Sequence, residues 1–292
     1  MVSLPTALTN IQVCVDCGGH LSLSEKTFHC QTCERDYLQN SAGVWDFRTQ
    51  SAKHKLPDIF EEETFHEWLR VFQHQESKAW VIYKNSVYRF FAQAGHRILG
   101  QRIKKQINAG DLILEIGAGT GALINFVPSE NFVAVDMSME SLAVIKTNWP
   151  NVTCICASAS ALPFKSESFQ HLVSLHTLEH LYFLAESLQE MRRVMQPEGI
   201  MHYGIPTEGG LAFLLGRKLI TGPHLRKTYG LDVDYVMDRE HINDAPRVIK
   251  FLRMHFEGLS RRFWPIPFLR FLSLNALIYG ECRKSAEHSR HD

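Results

Sequence analysis

The sequence predicts an α/β protein: a parallel sheet covered on both faces by helices, preceded by a small cysteine-rich module and a helical linker. Three observations predict it. After Asp111, short apolar runs alternate with helical stretches five times, the pattern of repeated strand–helix–strand units. The first of those runs ends in a glycine-rich turn. Two Cys-x-x-Cys pairs lie near the start of the chain. Composition agrees with this picture. A chain of 292 residues with 45% hydrophobic and 21% charged residues has ordinary globular usage and room for one large domain, or a medium domain with an appendage. Collagen, coiled coil and extensive disorder are excluded. Lys+Arg and Asp+Glu both number 31, so a globally basic nucleic-acid binder is not indicated. No apolar run reaches the roughly 18 residues of a spanning helix. The opening MVSLPTALTNIQVCVDC lacks the basic start and long apolar run of a secretory signal, and the expected location is cytoplasmic.

Residues 1–50 form the first unit, rich in cysteine, glycine and turn residues. Of seven cysteines, four are clustered as Cys14-x-x-Cys17 and Cys30-x-x-Cys33, while Cys154, Cys156 and Cys282 lie in apolar contexts. An odd count with this clustering points to metal ligation and buried thiols, not to a disulfide framework. Each pair can place two thiolates on one ion, and two pairs complete the tetrahedral four-sulfur shell that suits a structural zinc. Gly18 and Gly19 supply the tight turn after the first pair. A metal also substitutes for the core that ~50 residues cannot build alone. The module is acidic, with Lys26 and Arg35 against Asp16, Glu25, Glu34, Asp36 and Asp46, which makes it a poor phosphate binder and favours a docking or folding role.

Residues 51–108 read as a helical linker, because Phe60, Phe65, Trp68, Leu69 and Phe72, then Val81, Tyr83, Val87, Phe90 and Phe91, recur at spacings near three and four. Asn108-Ala109-Gly110 ends it. The third unit spans 109–284. Its strands are DLILEIG from Asp111, FVAVD over 132–136, VTCIC over 152–156, HLVSL over 171–175 and IMHYGI over 200–205. Between them come helices starting at Thr120–Phe126, over 139–148 and over Leu184–Met195, with Pro150 and Pro197-Glu198-Gly199 as stops. An insertion with helical pieces covers about 206–255. Two apolar runs within 257–283 read as an antiparallel hairpin that closes the sheet.

The turn after the first strand reads Glu115-Ile-Gly117-Ala118-Gly119-Thr-Gly121. Glycines there let a ligand approach the backbone, and a following helix N-terminus favours an anionic group. Asp136 ends the second strand, where a carboxylate can accept two hydrogen bonds from a ribose diol. The turn alone also fits a dinucleotide fingerprint, Gly117-x-Gly119-x-x-Ala122, and hence a nicotinamide oxidoreductase. Three further features separate the two. Glu115 stands two residues before the first glycine, Ala161-Leu162-Pro163-Phe164 follows the third strand, and Ser168-Phe169-Gln170-His171-Leu172-Val173 leads on to Leu178-Glu179-His180.

With these elements the chain resembles the class I S-adenosylmethionine-dependent methyltransferases, in particular the broad group with E-x-G-x-G-x-G and L-P-F motifs. The likeness is good over 109–205 and looser over 206–283. It implies a Rossmann-like, seven-stranded sheet and S-adenosylmethionine as cofactor. It also implies roles. Gly117, Ala118, Gly119 and Gly121 would line the methionine part of the cofactor, with Glu115 orienting that loop. Asp136 would hold the ribose and Met137 would pack on the adenine. Ser158 and Ala159 would lie at the adenine edge, although the family usually has Asp or Asn at the position of Ser158. His176 would line the sulfonium side.

Methyl transfer from a sulfonium needs mainly alignment and a dry pocket, and an oxygen acceptor needs a base as well. His176, Glu179, His180 and His241 are the base candidates, with His176, His180 and His241 the catalytic residues expected. The insertion and the residues after it are cationic and apolar, as in Leu211-Ala-Phe-Leu-Leu-Gly-Arg-Lys-Leu-Ile and Arg262-Phe-Trp-Pro-Ile-Pro-Phe-Leu-Arg-Phe. Such a segment suits an anionic or lipid-linked acceptor or contact with a membrane surface. The expected function is methylation, at oxygen, of a small or carrier- or lipid-linked acceptor. Two alternatives stand beside it. The order of zinc ribbon, linker and catalytic domain also resembles bacterial ribosomal-RNA guanine methyltransferases, although the chain lacks an Asn/Asp-Pro-Pro-Phe/Tyr element after the fourth strand. The other alternative is a non-catalytic zinc-ribbon binding protein on a methyltransferase scaffold.

Overall fold

The computed structural model describes residues 12–49, 86–127, 131–229, 234 and 240–284. Most of the expected linker, residues 51–85, lies outside these. Its end is helix α1 (Ser86–Lys104).

The N-terminal module is an antiparallel meander of β1 (Leu21–Ser24), β2 (Thr27–Cys30) and β3 (Asp36–Leu38), followed by the two-residue strand β4 (Trp45–Asp46). Few side chains are available for a core here, and they are aromatic. The rings of Phe28 and Trp45 lie 4.6 Å apart, and Tyr37 stacks on Phe47 at 4.5 Å. This small core is continuous with that of the main domain, joining Ile155, Leu162 and Phe164.

The main sheet runs β10 (Phe256–Glu257), β12 (Leu277–Lys284), β9 (Met195–Pro206), β8 (Phe169–Leu175), β5 (Ile113–Ile116), β6 (Phe132–Asp136), β7 (Thr153–Cys156), β4. Its central strands are β5, β6, β7, β8 and β9. These five are mutually parallel, and β12 returns antiparallel to β9. The strands β5 and β7 are buried along their whole length, as parallel strands covered on both faces must be. Helix α2 (Met139–Asn148) begins at Ser138, whose hydroxyl accepts from the Ser141 N–H at 3.1 Å. Helix α3 (Leu184–Val194) packs its Leu184, Leu188 and Met191 stripe on the sheet.

The sheet has nine strands, where seven are expected. One extra strand is β4, which adds in parallel beside β7 with Trp45 opposite Ile155. The other arises because the outer neighbour of β12 is broken in two. Both β10 (Phe256–Glu257) and β11 (Arg262–Trp264) pair with that one strand, at its two ends, and Gly258 (φ +64) lies between them. The β11–β12 pairing is the expected antiparallel hairpin. A second difference follows the glycine turn. In place of a helix over Thr120–Phe126 there is one 3-10 turn, Ala122–Asn125. Pro128 stands two residues beyond Phe126 in the sequence, and the residue before a proline is disfavoured in the α region, so no further turn of helix can follow. Helix α3 also stops one residue early, at Val194, because β9 starts at Met195 and runs through Pro197 and Gly199.

The insertion holds α4 (Leu211–Gly216), a π-helical turn (Arg217–Thr221) and α5 (Gly222–Tyr229), one after another. Helix α6 (Ala245–His255) follows, capped by Asp244, which accepts from the Arg247 N–H at 2.8 Å.

Arg193 ties the L-P-F segment to α3. It donates to the Phe164 and Leu162 carbonyls at 2.6 and 3.1 Å while pairing with Glu190, whose carboxylate accepts from the Leu162 N–H. The N-terminal module docks on this same segment. The Val13 N–H donates to the Pro163 carbonyl at 3.1 Å, and the Phe47 N–H to the Cys156 carbonyl at 2.8 Å.

Candidate cofactor cleft and acceptor site

The carboxyl ends of β5, β6, β7, β8 and β9 lie along one rim, and the chain crosses from one side of β5 to the other between β7 and β8. Ligands of open α/β sheets bind at such a switch point. The glycine turn lies there. Gly117 (φ +73), Gly119 (φ +51) and Gly121 (φ +82) all adopt left-handed backbone, which other residues enter only at a cost. The N–H groups of Gly117 and Ala118 both donate to the Val135 carbonyl, at 2.9 and 3.1 Å, so the turn folds down over the end of β6. Gly117 is crowded: a Cβ there would meet the Thr177 Oγ1 at 2.1 Å. Gly119 opens on empty space, with no atom within 4 Å of a Cβ position.

Two acids frame this opening. Asp136 accepts from the Gly119 N–H through Oδ2 and from the Ser138 N–H through Oδ1, each at 2.8 Å. Each oxygen keeps a second lone pair. Burial pushes its carboxyl above the ordinary range, opposed by those N–H donors. Glu115 is buried, and its Oε2 has no partner among the described residues. Burial, with the nearby Asp136 charge, pushes Glu115 well up. Met137 is exposed beside them, at 47%. Ser158 and the buried Ala159 follow β7, but the Ser158 hydroxyl is already 2.8 Å from that of Ser160.

A second cluster lies past β8, on the other side of the turn. His176 has left-handed backbone (φ +55), and its N–H donates to the Gly204 carbonyl at 2.9 Å. A non-glycine residue held there marks local strain of the kind found at binding sites. The buried Glu179 carboxylate faces His176 at 3.8 Å and His180 at 3.9 Å. Burial favours its neutral form, but these imidazoles outweigh burial and hold Glu179 below the ordinary range. The Nδ1 of His180 bonds the Glu240 carbonyl at 2.8 Å, and its ring meets His241 edge-on at 4.4 Å. The Nδ1 of His241 is hydrogen-bonded to Glu208. Burial lowers His180, while at His241 the Glu208 contact outweighs burial and raises the imidazole. Glu208 itself is raised by burial, opposed by His241. His241 also lines a cleft with Asp244, Arg247 and Lys250.

The expected residues therefore fall into two groups on one rim. Glu115, Gly117, Ala118, Gly119, Asp136 and Met137 come from the ends of β5 and β6 and the turn between them, Gly121 packs toward Ile124 and Ile145, and Ser158 and Ala159 follow β7. His176, His180 and His241 gather around Glu179. The sequence reading missed Glu208, Thr177 and Asn243. The buried Asn243 donates to the Leu178 and Leu181 carbonyls at 3.2 and 2.8 Å and fixes the loop carrying His180. The available signal for Glu208 was its place just past a fifth strand, at the carboxyl end where such sheets bind ligands.

Comparison with known proteins agrees with this fold. Residues 114–203 match the family model of a methyltransferase domain. An uncharacterised methyltransferase of Schizosaccharomyces pombe is 40% identical over 97 residues, 32% of this chain and 38% of its own length. A probable S-adenosylmethionine-dependent methyltransferase of Mycobacterium tuberculosis is 27% identical over 135 residues, 45% of this chain and 48% of its own. Among solved structures, the CurJ carbon methyltransferase superposes with a TM-score of 0.52 at 16% identity, covering 73% of this chain and 59% of that one. The chain thus carries the class I S-adenosylmethionine-dependent methyltransferase fold. It spans about half or less of the length of the curated relatives it matches.

The four N-terminal cysteines also come together. Their Sγ atoms all lie within 4.8 Å of one another, with Cys14–Cys33 at 3.6 Å and Cys17–Cys30 at 3.5 Å. Cys14 and Cys30 are buried, and Cys17 and Cys33 exposed.

Proposed function

We propose that the chain is an S-adenosylmethionine-dependent methyltransferase acting at an oxygen of a small or carrier- or lipid-linked acceptor, with a structural zinc in its N-terminal module. The observation that carries the reading is the opening at Gly119, where no atom of the described residues lies within 4 Å of a Cβ position, beside Asp136 and Glu115, whose Oε2 has no partner among the described residues. A bound nucleoside would fit these groups. Asp136 has lone pairs left for ribose hydroxyls, Glu115 offers a buried acceptor, and Met137 an apolar surface for the adenine. When bound, S-adenosylmethionine supplies an electrophilic methyl group whose leaving group is a neutral thioether.

What this chain must add is alignment, exclusion of water and a place for the acceptor's proton. His241 suits the last task. Glu208 holds its Nδ1, which leaves Nε2 to take a proton from an acceptor hydroxyl, and the resulting imidazolium sits beside a carboxylate. Glu179 holds His176 and His180 around the same space. For zinc, the sulfur spacings match a single tetrahedral ion, whose Zn–S bonds of roughly 2.3 Å place sulfurs a little under 4 Å apart.

Calorimetry tests the cofactor. S-adenosylmethionine is expected to bind and NAD not. Asp136→Ala is expected to weaken binding about 10- to 100-fold, because a hydrogen bond to a charged group contributes roughly 1.5–3 kcal/mol and 1.4 kcal/mol is a factor of ten. Binding of NAD alone, or an unchanged affinity in Asp136→Ala, overturns the assignment.

The base makes its own prediction. His241 must be neutral to accept a proton, and its pairing with Glu208 raises its pKa. Methyl transfer is therefore expected to rise with pH through that raised value. In Glu208→Gln the imidazole loses its carboxylate while burial still depresses it, so the rising limb is expected to move to lower pH and kcat to fall. A pH–rate profile checks this, and an unmoved limb removes His241 from the role.

A further inference from the structure

A cluster of exposed apolar side chains lies in the segments that follow β9 and precede β12. Eleven large hydrophobic side chains are exposed, and seven of them come from two short segments, α4 with its π turn and the loop 265–274. Leu211, Leu214, Leu215 and Leu219 are spaced i, i+3, i+4, i+8, so the apolar stripe of this helix points outward. A helix of a globular domain turns such a stripe to the core. Phe268, Phe271 and Leu274 are exposed on the loop, at 81%, 64% and 48%. The two segments abut: a Cβ on Gly210, just before α4, would lie 2.6 Å from the Leu272 carbonyl oxygen. Scattered apolar residues on a surface need no explanation, but a cluster of this size does.

Charge says what would cover it. Neither 209–231 nor 258–280 contains an Asp or Glu. Lys218, Lys227, Arg261, Arg262 and Arg270 are exposed on them. Asp234 pairs with Arg217 of the π turn at 2.7 Å, and the remaining exposed cations with the outward leucines and phenylalanines have the composition of a segment that lies in the interface of an anionic bilayer, its apolar side chains in the acyl boundary and its cations at the headgroups. No helix among the described residues is long and apolar enough to cross a membrane, so the contact is peripheral.

We propose that this face, formed by α4, the π turn and the loop 265–274, docks the protein on an anionic lipid surface. Glu208 stands three residues before α4, so a docked chain carries the His241–Glu208 pair close to the lipid. Docking itself does not depend on how the cleft is read, and vesicle binding without S-adenosylmethionine tests it alone.

The experiment is co-sedimentation of the full chain with vesicles of phosphatidylcholine alone or mixed with phosphatidylglycerol, at low and high salt. The wild type is expected to pellet with the mixed vesicles, at least tenfold more than with the neutral ones, and to be released by salt. Leu219→Ser/Phe268→Ser/Phe271→Ser is expected to lose at least tenfold in partitioning while its calorimetric affinity for S-adenosylmethionine matches the wild type. Lys218→Glu/Arg270→Glu is expected to lose the preference for anionic lipid. The proposal falls if the wild type does not pellet, or if both variants pellet as it does. It also falls if ultracentrifugation shows a wild-type dimer that the triple variant abolishes, because a second copy then covers the face.

Discussion

Cys30→Ser is expected to release the metal, unfold the N-terminal module and strip β4 from β7. Cys30 is fully buried and belongs to the same core as Phe28, Tyr37 and Phe164. A structural zinc contributes on the order of 10 kcal/mol to the folding of isolated fingers at neutral pH, and each kcal/mol shifts the midpoint of a 150–250-residue domain by about 2–4 °C. A fall of more than ~10 °C is therefore expected, with Trp45, 3% exposed in the fold, becoming accessible to a fluorescence quencher. Cys33→Ser provides the control, because Cys33 is exposed. If these cysteines only packed, its loss would be silent. If they hold one ion, Cys33→Ser must lose zinc and stability much as Cys30→Ser does. Metal analysis and thermal melts of the two variants decide, and an intact, metal-free wild type overturns the assignment.

Gly117→Ala is expected to abolish cofactor binding and destabilise the domain by about 2–5 kcal/mol. Two effects add. The left-handed backbone at φ +73 costs a residue with a Cβ roughly 1–2 kcal/mol. The new methyl would also lie 2.1 Å from the Thr177 Oγ1 and 2.4 Å from its Cγ2, an overlap that moves either the turn or the start of the His176–His180 loop, at about 1–3 kcal/mol. Thr177→Gly in the same chain removes the clash and leaves the backbone cost. The double variant is expected to recover part of the stability, measured by urea denaturation. If Gly117→Ala binds S-adenosylmethionine as the wild type does, the turn is not the cofactor's seat.

Much of the architecture was readable because local and long-range demands coincide. Strand β6 and helix α2 fall on the residues expected, since FVAVD is apolar enough for a strand buried on both faces, Ser138 caps the helix and Pro150 ends the reach of the next turn. The glycine turn was readable for the same reason, as its backbone angles admit little else. The 3-10 turn after it was not: Ala122 and Leu123 favour helix, while Ile124, Asn125 and Phe126 do so weakly and Pro128 discourages extension beyond them. Strand β4 was invisible because two residues have no periodicity, and its partner is decided by the packing of Trp45 and Phe47 far along the chain. The cluster past β8 was half legible. The histidines after β8 declared themselves by position, whereas the pairing of His241 with Glu208 joins residues that nothing in their own neighbourhoods connects.

The strand β4 has a consequence for how the chain assembles. Trp45 and Ile155 lie about 110 residues apart, whereas the four thiols close a loop of some twenty. Short loops close at little entropic expense and long ones later. The meander, whose contacts are local, can therefore form before its partner β7 is available. An open parallel edge left waiting would invite pairing with another molecule. With β4 in place, that edge of the sheet ends in a strand of only two residues, too short to template a further chain.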